Sequence, residues 1–398
     1  MKKLNLLIFS LALTSGTVYA QDNTADVNQN GTSNSATVEQ VGDQNFTSLS
    51  QSGSSIAIIE QINASQSFVS LGQIGTNLAD ILQNNKNSVQ GFNDQWNTDP
   101  ANKLSTQEGS GNTMYIDQLS TWNQAYVDQY GTDNSMTVLQ QGGNSNVARL
   151  LQDGSENTVN VTLDGGSINR VKAEQYGEGN TADVNVFGTG NNEFNNGASY
   201  INQNGTNQLA DVDVTGNENY YNIDQDGTGS TSEVLLNGNQ NRTVLTQAGN
   251  FNAIDAIVNS GDLNTLDVEM TGNGNSSRYV VESGSSNDID EVVTGKNNQS
   301  LMLLGTGGVL SSGNMIDVLR NGNSNYLGGV IKGSGNMITV DQSGNQNRIT
   351  ASLSGFGWTD GIAITGNDNI VNVSQLSVGN MSVNTVTGNN NSITVTQN

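Results

Sequence analysis

The stretch Gln29-Asn30-Gly31-Thr32-Ser33-Asn34-Ser35-Ala36-Thr37-Val38-Glu39-Gln40-Val41-Gly42 holds one complete unit of a repeat and the start of the next. Glutamine precedes glycine by two positions and asparagine follows it by three. The order returns 11 residues later at Gln40, Gly42 and Asn45, then at Gln51 and Gly53. Self-similarity at a short fixed period marks a solenoid, in which one small unit is stacked because alone it cannot bury its inner face.

Separating alternate residues gives the geometry of the unit. Asn34, Ala36, Val38, Gln40 and Gly42 fall in one phase, and Ser35, Thr37, Glu39 and Val41 in the other. Alternate side chains of a strand point to opposite faces, so the apolar pair shares its side with Asn and Gln while the acid lies opposite. The parity returns in Asn112, Met114, Ile116 and Gln118, in Asn134, Met136, Val138 and Gln140, and in Asn252, Ile254, Ala256 and Val258. Asp26, Asp117, Asp128, Asp183, Asp224, Asp255, Asp267, Asp317 and Asp341 fall in the outer phase.

An unpaired buried amide loses its water without compensation. Stacking the same amide above and below itself removes that cost, because each can donate to one neighbour and accept from the other. The residues expected to form such ladders are Gln29, Asn34, Gln40, Asn45, Gln51, Gln107, Asn112, Gln118, Gln129, Asn134, Gln140, Gln175, Gln203, Gln225, Gln247 and Gln342. Gly31, Gly42, Gly131, Gly142, Gly205, Gly227, Gly249 and Gly344, each with the two residues after it, are expected to form the corners. Glycine suits them because it tolerates positive φ and close backbone approach. One segment is then a strand plus a corner, and two make a β-arch coil of roughly 22 residues. In the middle of the chain one sheet keeps its amides at Gln203, Gln225 and Gln247, while Val214 and Leu236 take that place on the facing sheet. Glu282, Arg320 and Ile331 occupy the position later, so the C-terminal half is expected to be the less regular part.

The fold class expected is therefore all-β, a parallel β-solenoid of two facing sheets. Composition agrees: only 33% of the 398 residues are hydrophobic and 5% aromatic, too few for a conventional core of this size. Charged residues are just 13%, and the chain has a single proline, Pro100, as suits hydrogen-bonded strands that lose a ladder donor at each proline. Residues 1–20 read differently. Lys2 and Lys3, the apolar run Leu4 to Leu13, and Val18-Tyr19-Ala20 make a secretory signal peptide, and no other apolar stretch approaches transmembrane length. Residues 21–398 are expected to form one solenoid with a loop insertion near 91–101, around Trp96 and Pro100. Smaller breaks are expected at Asn192 to Ser199 and Thr306 to Ser312. About 15 to 16 coils would make a rod on the order of 75 Å long.

Without Lys2 and Lys3, 11 of the 13 basic residues remain against 37 acidic ones, a net charge of −26. Such a surface repels phosphate backbones and anionic lipid, which argues against nucleic acid or bare membrane as partners. Cys and His are absent, removing thiolate chemistry and imidazole ligation. No cofactor, metal or catalytic site is expected.

The order Gln, Gly, Asn, Ala, Gln at Gln29, Gly31, Asn34, Ala36 and Gln40, met again with another apolar residue for Ala from Gln107 to Gln118 and from Gln129 to Gln140, resembles the curlin repeat of bacterial curli subunits. The resemblance extends, with degeneracy, over residues 23–398. It implies an exported structural subunit that polymerises outside the cell into amyloid fibres of a biofilm matrix, with roles in adhesion and cell aggregation. It also implies a self-partnered homopolymer, a nucleator subunit and an outer-membrane secretion pore. The chain is several times longer than the familiar subunits, and its pattern begins at Ala25 with little preceding segment.

Physical reasons favour polymerisation. A terminal coil presents unpaired backbone groups and the next rung of every ladder, and neither the N-terminal coils nor Asn391 to Gln397 carry a proline, basic run or atypical capping unit. Stacked outer acids oppose assembly, so added salt or lower pH is expected to speed it. Rival functions fit less well. A calcium β-roll needs a nine-residue Gly-Asp repeat with carboxylates at the corner. Ice binding needs Thr pairs on every coil, and here they are local, at Thr385 with Thr387 and Thr394 with Thr396. A β-helical enzyme needs clustered acids and bases, whereas Arg149, Arg170, Arg242, Arg278, Arg320 and Arg348 are scattered and read as solvated surface charge. The remaining alternative is a monomeric cell-surface β-solenoid adhesin that does not polymerise.

Overall fold

The computed structural model describes residues 22–90, 105–191, 200–349, 362–365, 368–375 and 381–397. The signal-peptide reading, the 91–101 insertion and the break at Asn192 to Ser199 lie outside the described residues.

Alternation of apolar and polar side chains, with many β-branched residues, produces strands almost everywhere. Each segment pairs in parallel with the segment one coil away; where a strand runs on through a corner, as Phe68–Asn84 does, the strand before it, Ile56–Ser65, pairs with its second half. Thr24–Gly31 pairs with Phe46–Gly53, setting Gln29 beside Gln51 and Gly31 beside Gly53. Ser35–Asp43 pairs instead with Ile56–Ser65, setting Gln40 beside Gln61. Odd and even segments thus build two sheets whose inner side chains meet: Thr47 of one donates to Gln61 of the other at 3.1 Å. This is a parallel β-solenoid of two facing sheets. The described strands make about 14 turns, fewer than a uniform period implies because some coils are longer. Thirty-four residues separate Gln73 from its rung partner Gln107, and 33 separate Gln342 from Gln375.

The chain divides into two compact units, Met1–Glu156 with Val161–Asp164, and Asn157–Asn160 with Gly165–Asn398. In the first, Leu49, Ile59, Leu71, Ile81, Met114, Ile116, Met136 and Val138 are buried between the sheets. In the second, Val212, Ile223, Val234, Leu245, Ile254, Leu266, Ile289, Ile316 and Val340 do the same. Each such side chain contributes about 1.5–3 kcal/mol on leaving water.

Corner backbone explains the glycines. Gly205 has φ 140°, and a Cβ there would lie 1.9 Å from the carbonyl oxygen of Gly227 in the next coil. Where two such glycines stack, the corners approach too closely for a Cβ on the first, although Ala64 stands opposite Gly42. Two residues further on the chain enters the left-handed region, as at Asn207 with φ 54° and Phe251 with φ 55°. Where that residue is glycine, its neighbour covers it: the Phe251 ring lies over Gly229. Gly31, Gly131, Gly227, Gly249 and Gly344 share the conformation of Gly205, whereas Gly142, at φ 65°, is a left-handed corner residue of another kind.

Several expectations need correction. Arg149 and Arg320 are not solvated surface charges. Arg149 is buried against the Tyr126 ring at 4.7 Å, and Arg320 lies wholly inside the core, bonded to Glu291. Glu291 itself breaks the outer-phase rule for acids, since it is fully buried among inward residues. Asp117 and Asp128 keep the outer phase but are buried, Asp128 accepting from the Thr106 backbone at 2.7 Å. Glu282 is exposed; Val281 takes the inward place, one residue earlier, beside Leu304. The break at Thr306 to Ser312 holds a three-residue 3-10 turn, Thr306–Gly308.

Gly205→Ala should cost on the order of 2–4 kcal/mol, because positive φ and a backbone clash act together. Gly308→Ala, where φ is also positive at 76° but an added Cβ meets nothing within 4 Å, should cost less, about 1–2 kcal/mol. Thermal midpoints by scanning calorimetry check the contrast.

Candidate functional site: the stacked amide ladders

Parallel in-register pairing carries each inward Gln to the same place in the next coil. In the first unit, Gln29, Gln51, Gln73, Gln107, Gln129 and Gln152 form one ladder, each Nε2 donating to the next Oε1 at 2.7–2.9 Å. On the facing sheet Gln40, Gln61, Gln83, Gln118 and Gln140 form another at 2.7–2.9 Å. The second amide hydrogen goes to backbone: Gln51 Nε2 also reaches the carbonyls of Ser35 at 3.0 Å and Ser55 at 3.1 Å. Gln29 is exposed and Gln40 half-buried in the first described coil, whereas Gln107, Gln118, Gln129 and Gln140 are sealed from solvent.

In the second unit Gln175, Gln203, Gln225 and Gln247 stack at 2.8–2.9 Å. The column then passes through Met270, Val293 and Arg320 before Gln342, Gln375 and Gln397 resume it. The facing column is aliphatic throughout, with Val186, Val214, Leu236, Val258, Val281, Leu304, Ile331, Ile364 and Val386 in register. Apolar groups there need no hydrogen-bond partner, so this column tolerates changes of identity.

Asparagine holds the corners. Asn241 illustrates the wiring: its Oδ1 accepts both the backbone N–H and the Nδ2–H of Asn264 at 3.0 Å, while its own Nδ2 donates to Asn219 at 3.2 Å and to the Gly261 carbonyl at 2.9 Å. All four valences of the amide are filled. The side-chain bond repeats without a break through Asn169, Asn191, Asn219, Asn241, Asn264, Asn287, Asn314, Asn336, Asn369 and Asn391. The Gln column is thus interrupted in the C-terminal half while the Asn column is not, and the latter is the longest amide ladder described. In the first unit Asn34 and Asn45 accept the backbone N–H of Ser55 and Ser67, and Asn134 donates to Asn112 at 3.1 Å.

The sequence reading missed Asn169 and the nine that follow it. Their signal was present as Gly-x-x-Asn, for example Gly216 with Asn219, Gly238 with Asn241 and Gly388 with Asn391. It persists where Gln before Gly is lost.

Outer faces stack as well. Asp183, Asp211, Glu233 and Asp255 stand in register on successive coils. Asn160 donates to Asp183 at 2.6 Å at one end, and Arg278 approaches Asp255 at 3.8 Å at the other. Partial burial and then neighbouring carboxylates push the pKa of Asp211 and Glu233 up. Burial also raises Asp255, against the opposing pull of Arg278. Asp290 is raised by burial and by Asp267 and Asp317 beside it in the stack. Among the described residues no three acidic side chains converge so as to hold a metal ion. No helix among the described residues is long and apolar enough to cross a membrane.

Two predictions follow from this wiring. Asn264→Ala should open the coils on either side, costing about 2–4 kcal/mol because buried partners are left unmet. Asn217→Ala, in the exposed Asn217–Asn239 pair, should cost under about 1 kcal/mol; backbone hydrogen exchange distinguishes them. Because the raised carboxyls bind protons more tightly when folded, their contribution to stability is full below the ordinary carboxylate range near about pH 4 and is lost as pH rises through the folded values. The thermal midpoint should therefore climb as pH falls from neutral toward that range, and the slope should flatten in Asp211→Asn/Glu233→Gln.

Comparison with known proteins bears on the same rungs. A search of curated proteins finds no match to the chain. The family model of the curlin associated repeat matches residues 20–53, which hold Gln29, Asn34, Gln40, Asn45 and Gln51, and residues 116–142, which hold Gln118, Gln129, Asn134 and Gln140. Two stretches of the chain are thus similar to the curlin associated repeat, and the amide ladders run through both.

Proposed function

We propose that the protein is a non-enzymatic structural subunit of extracellular curli-like amyloid fibres, adding copy upon copy in a biofilm matrix and serving adhesion and cell aggregation. Export through the signal peptide at 1–20 and an outer-membrane pore, and growth from a nucleator subunit, belong to the same reading. The curlin repeat supports the family role. The observation that carries self-assembly is the match between a rung of the first described coil and one of the last.

Asn34-Ser35-Ala36-Thr37-Val38-Glu39-Gln40 and Asn391-Ser392-Ile393-Thr394-Val395-Thr396-Gln397 share their Asn, Ser, Thr, Val and Gln. Gln40 and Gln397 are half-buried, unlike the interior glutamines of either unit, and Asn391 is exposed. Laid on the Ser392–Gln397 strand of another copy, Ser35–Asp43 sets Gln40 over Gln397 and Asn34 over Asn391. Thr24–Gly31 then falls over Asn384–Thr387, since both pairs of strands are one corner apart. Those contacts reproduce the bonds within the stack, such as Gln375 to Gln397 at 2.7 Å and Asn391 to Asn369 at 3.0 Å. Backbone groups on such an edge gain partners at the same moment.

Electron microscopy of purified protein after incubation tests the reading. Long unbranched fibres are expected, growing faster at lower pH or higher salt as outer carboxylates are neutralised or screened. Dispersed short particles that bind no amyloid dye under any of these conditions would overturn it in favour of a non-polymerising adhesin.

A further inference from the structure

Every ladder described above repeats from coil to coil, and that creates a problem of register. Within the C-terminal unit, slipping a strand by one coil exchanges Asn for Asn at the corners and aliphatic for aliphatic in the facing column. The bonds lost are remade. Something unlike its neighbours has to mark the correct stacking.

We propose that the buried Arg320–Glu291 pair is this mark, a pin that fixes the register of the coils around it. Both side chains are fully buried. Glu291 stands in a column of Val268, Val318 and Val340, and Arg320 in one that continues from Met270 and Val293 to Gln342. The Glu291 carboxylate accepts from Arg320, from Ser277 and, at 2.6 Å, from Ser300. Arg320 also donates to Ser277 at 3.2 Å. These groups lie on Ser276–Val281, Asp288–Lys296, Gln299–Leu304 and Met315–Asn323, four consecutive strands in both sheets. A one-coil slip of Asp288–Lys296 or Met315–Asn323 strands a charge against Val or Met in a dry core, the costliest fault such a core can hold, and a slip of either serine strand takes a hydroxyl partner from the Glu291 carboxylate.

The pair is poorly suited to a role in net stability. Nε and Nη1 of Arg320 have no acceptor, and Oε1 of Gln342 in the next coil has no donor. Glutamine at 320 would fill that last vacancy as Gln203 does for Gln225, at 2.9 Å. The chain departs from its own amide ladder at this rung and leaves three polar groups unmet, which fits a residue kept to exclude alternatives.

Engineered disulfides in the full chain read the register, since the protein has no cysteine of its own. Thr271 and Thr294 are exposed partners on adjacent coils, and Asn321 is the next in the column. T271C/T294C reports the correct stacking. T271C/N321C spans two coils, about 9.6 Å, beyond the roughly 7 Å a disulfide bridges, and closes only after a slip. After unfolding and oxidative refolding, mass spectrometry should find the slipped bridge at under about 1% of the correct one in the native background, and at least about tenfold more in E291V/R320Q. E291Q/R320Q, which keeps the polar shape without charge, serves if the first double variant does not fold. An unchanged ratio overturns the pin. Failure of both double variants to fold overturns it too, because the pair would then be needed for folding itself.

Discussion

A primary amide has two donors and two acceptors, and a dry interior accepts it only when nearly all are met. In this protein that demand is satisfied by translation: the same amide, moved along the stack by one coil, is its own best partner. Parallel pairing, exact register and the scarcity of proline all follow. So do the corner glycines, since coils close enough for Asn241 to bond Asn219 and Asn264 leave no room for a Cβ between Gly205 and Gly227.

The translation that satisfies the amides inside also stacks like charges outside. Asp183, Asp211, Glu233 and Asp255 cannot be staggered without breaking the ladder beneath them. Attraction within and repulsion without therefore share one repeat distance. The chain moderates the repulsion locally, with Asn160 and Arg278 at the ends of that column and Arg242 paired with Asp267 elsewhere. Such a balance makes stability and assembly responsive to protons and salt with no dedicated switch.

How far the sequence was legible depends on what repeats. The two-sheet parallel solenoid follows from period and parity, because both are properties of many copies at once. The inward placement of Asn112, Met114, Ile116 and Gln118 needed nothing more. The Asn column of the C-terminal half is readable in Gly-x-x-Asn, which persists there although the Gln site fails at Met270, Val293 and Arg320. Glu291 and Arg320 were not legible. A charged residue at an inward position reads as irregularity until its partner, 29 residues away, is known to lie on the next coil. Loop lengths such as that between Gln73 and Gln107 hid the coil count for a similar reason, since only pairing reveals which rung follows which.

Side-chain amide hydrogen exchange, followed by NMR in protein labelled at asparagine nitrogen, tests the central claim most directly. Ladder amides from Asn191 to Asn369 should exchange orders of magnitude more slowly than those of exposed Asn217 and Asn239. Equal, rapid exchange at both sets would mean that the interior amides face water, and would contradict the account.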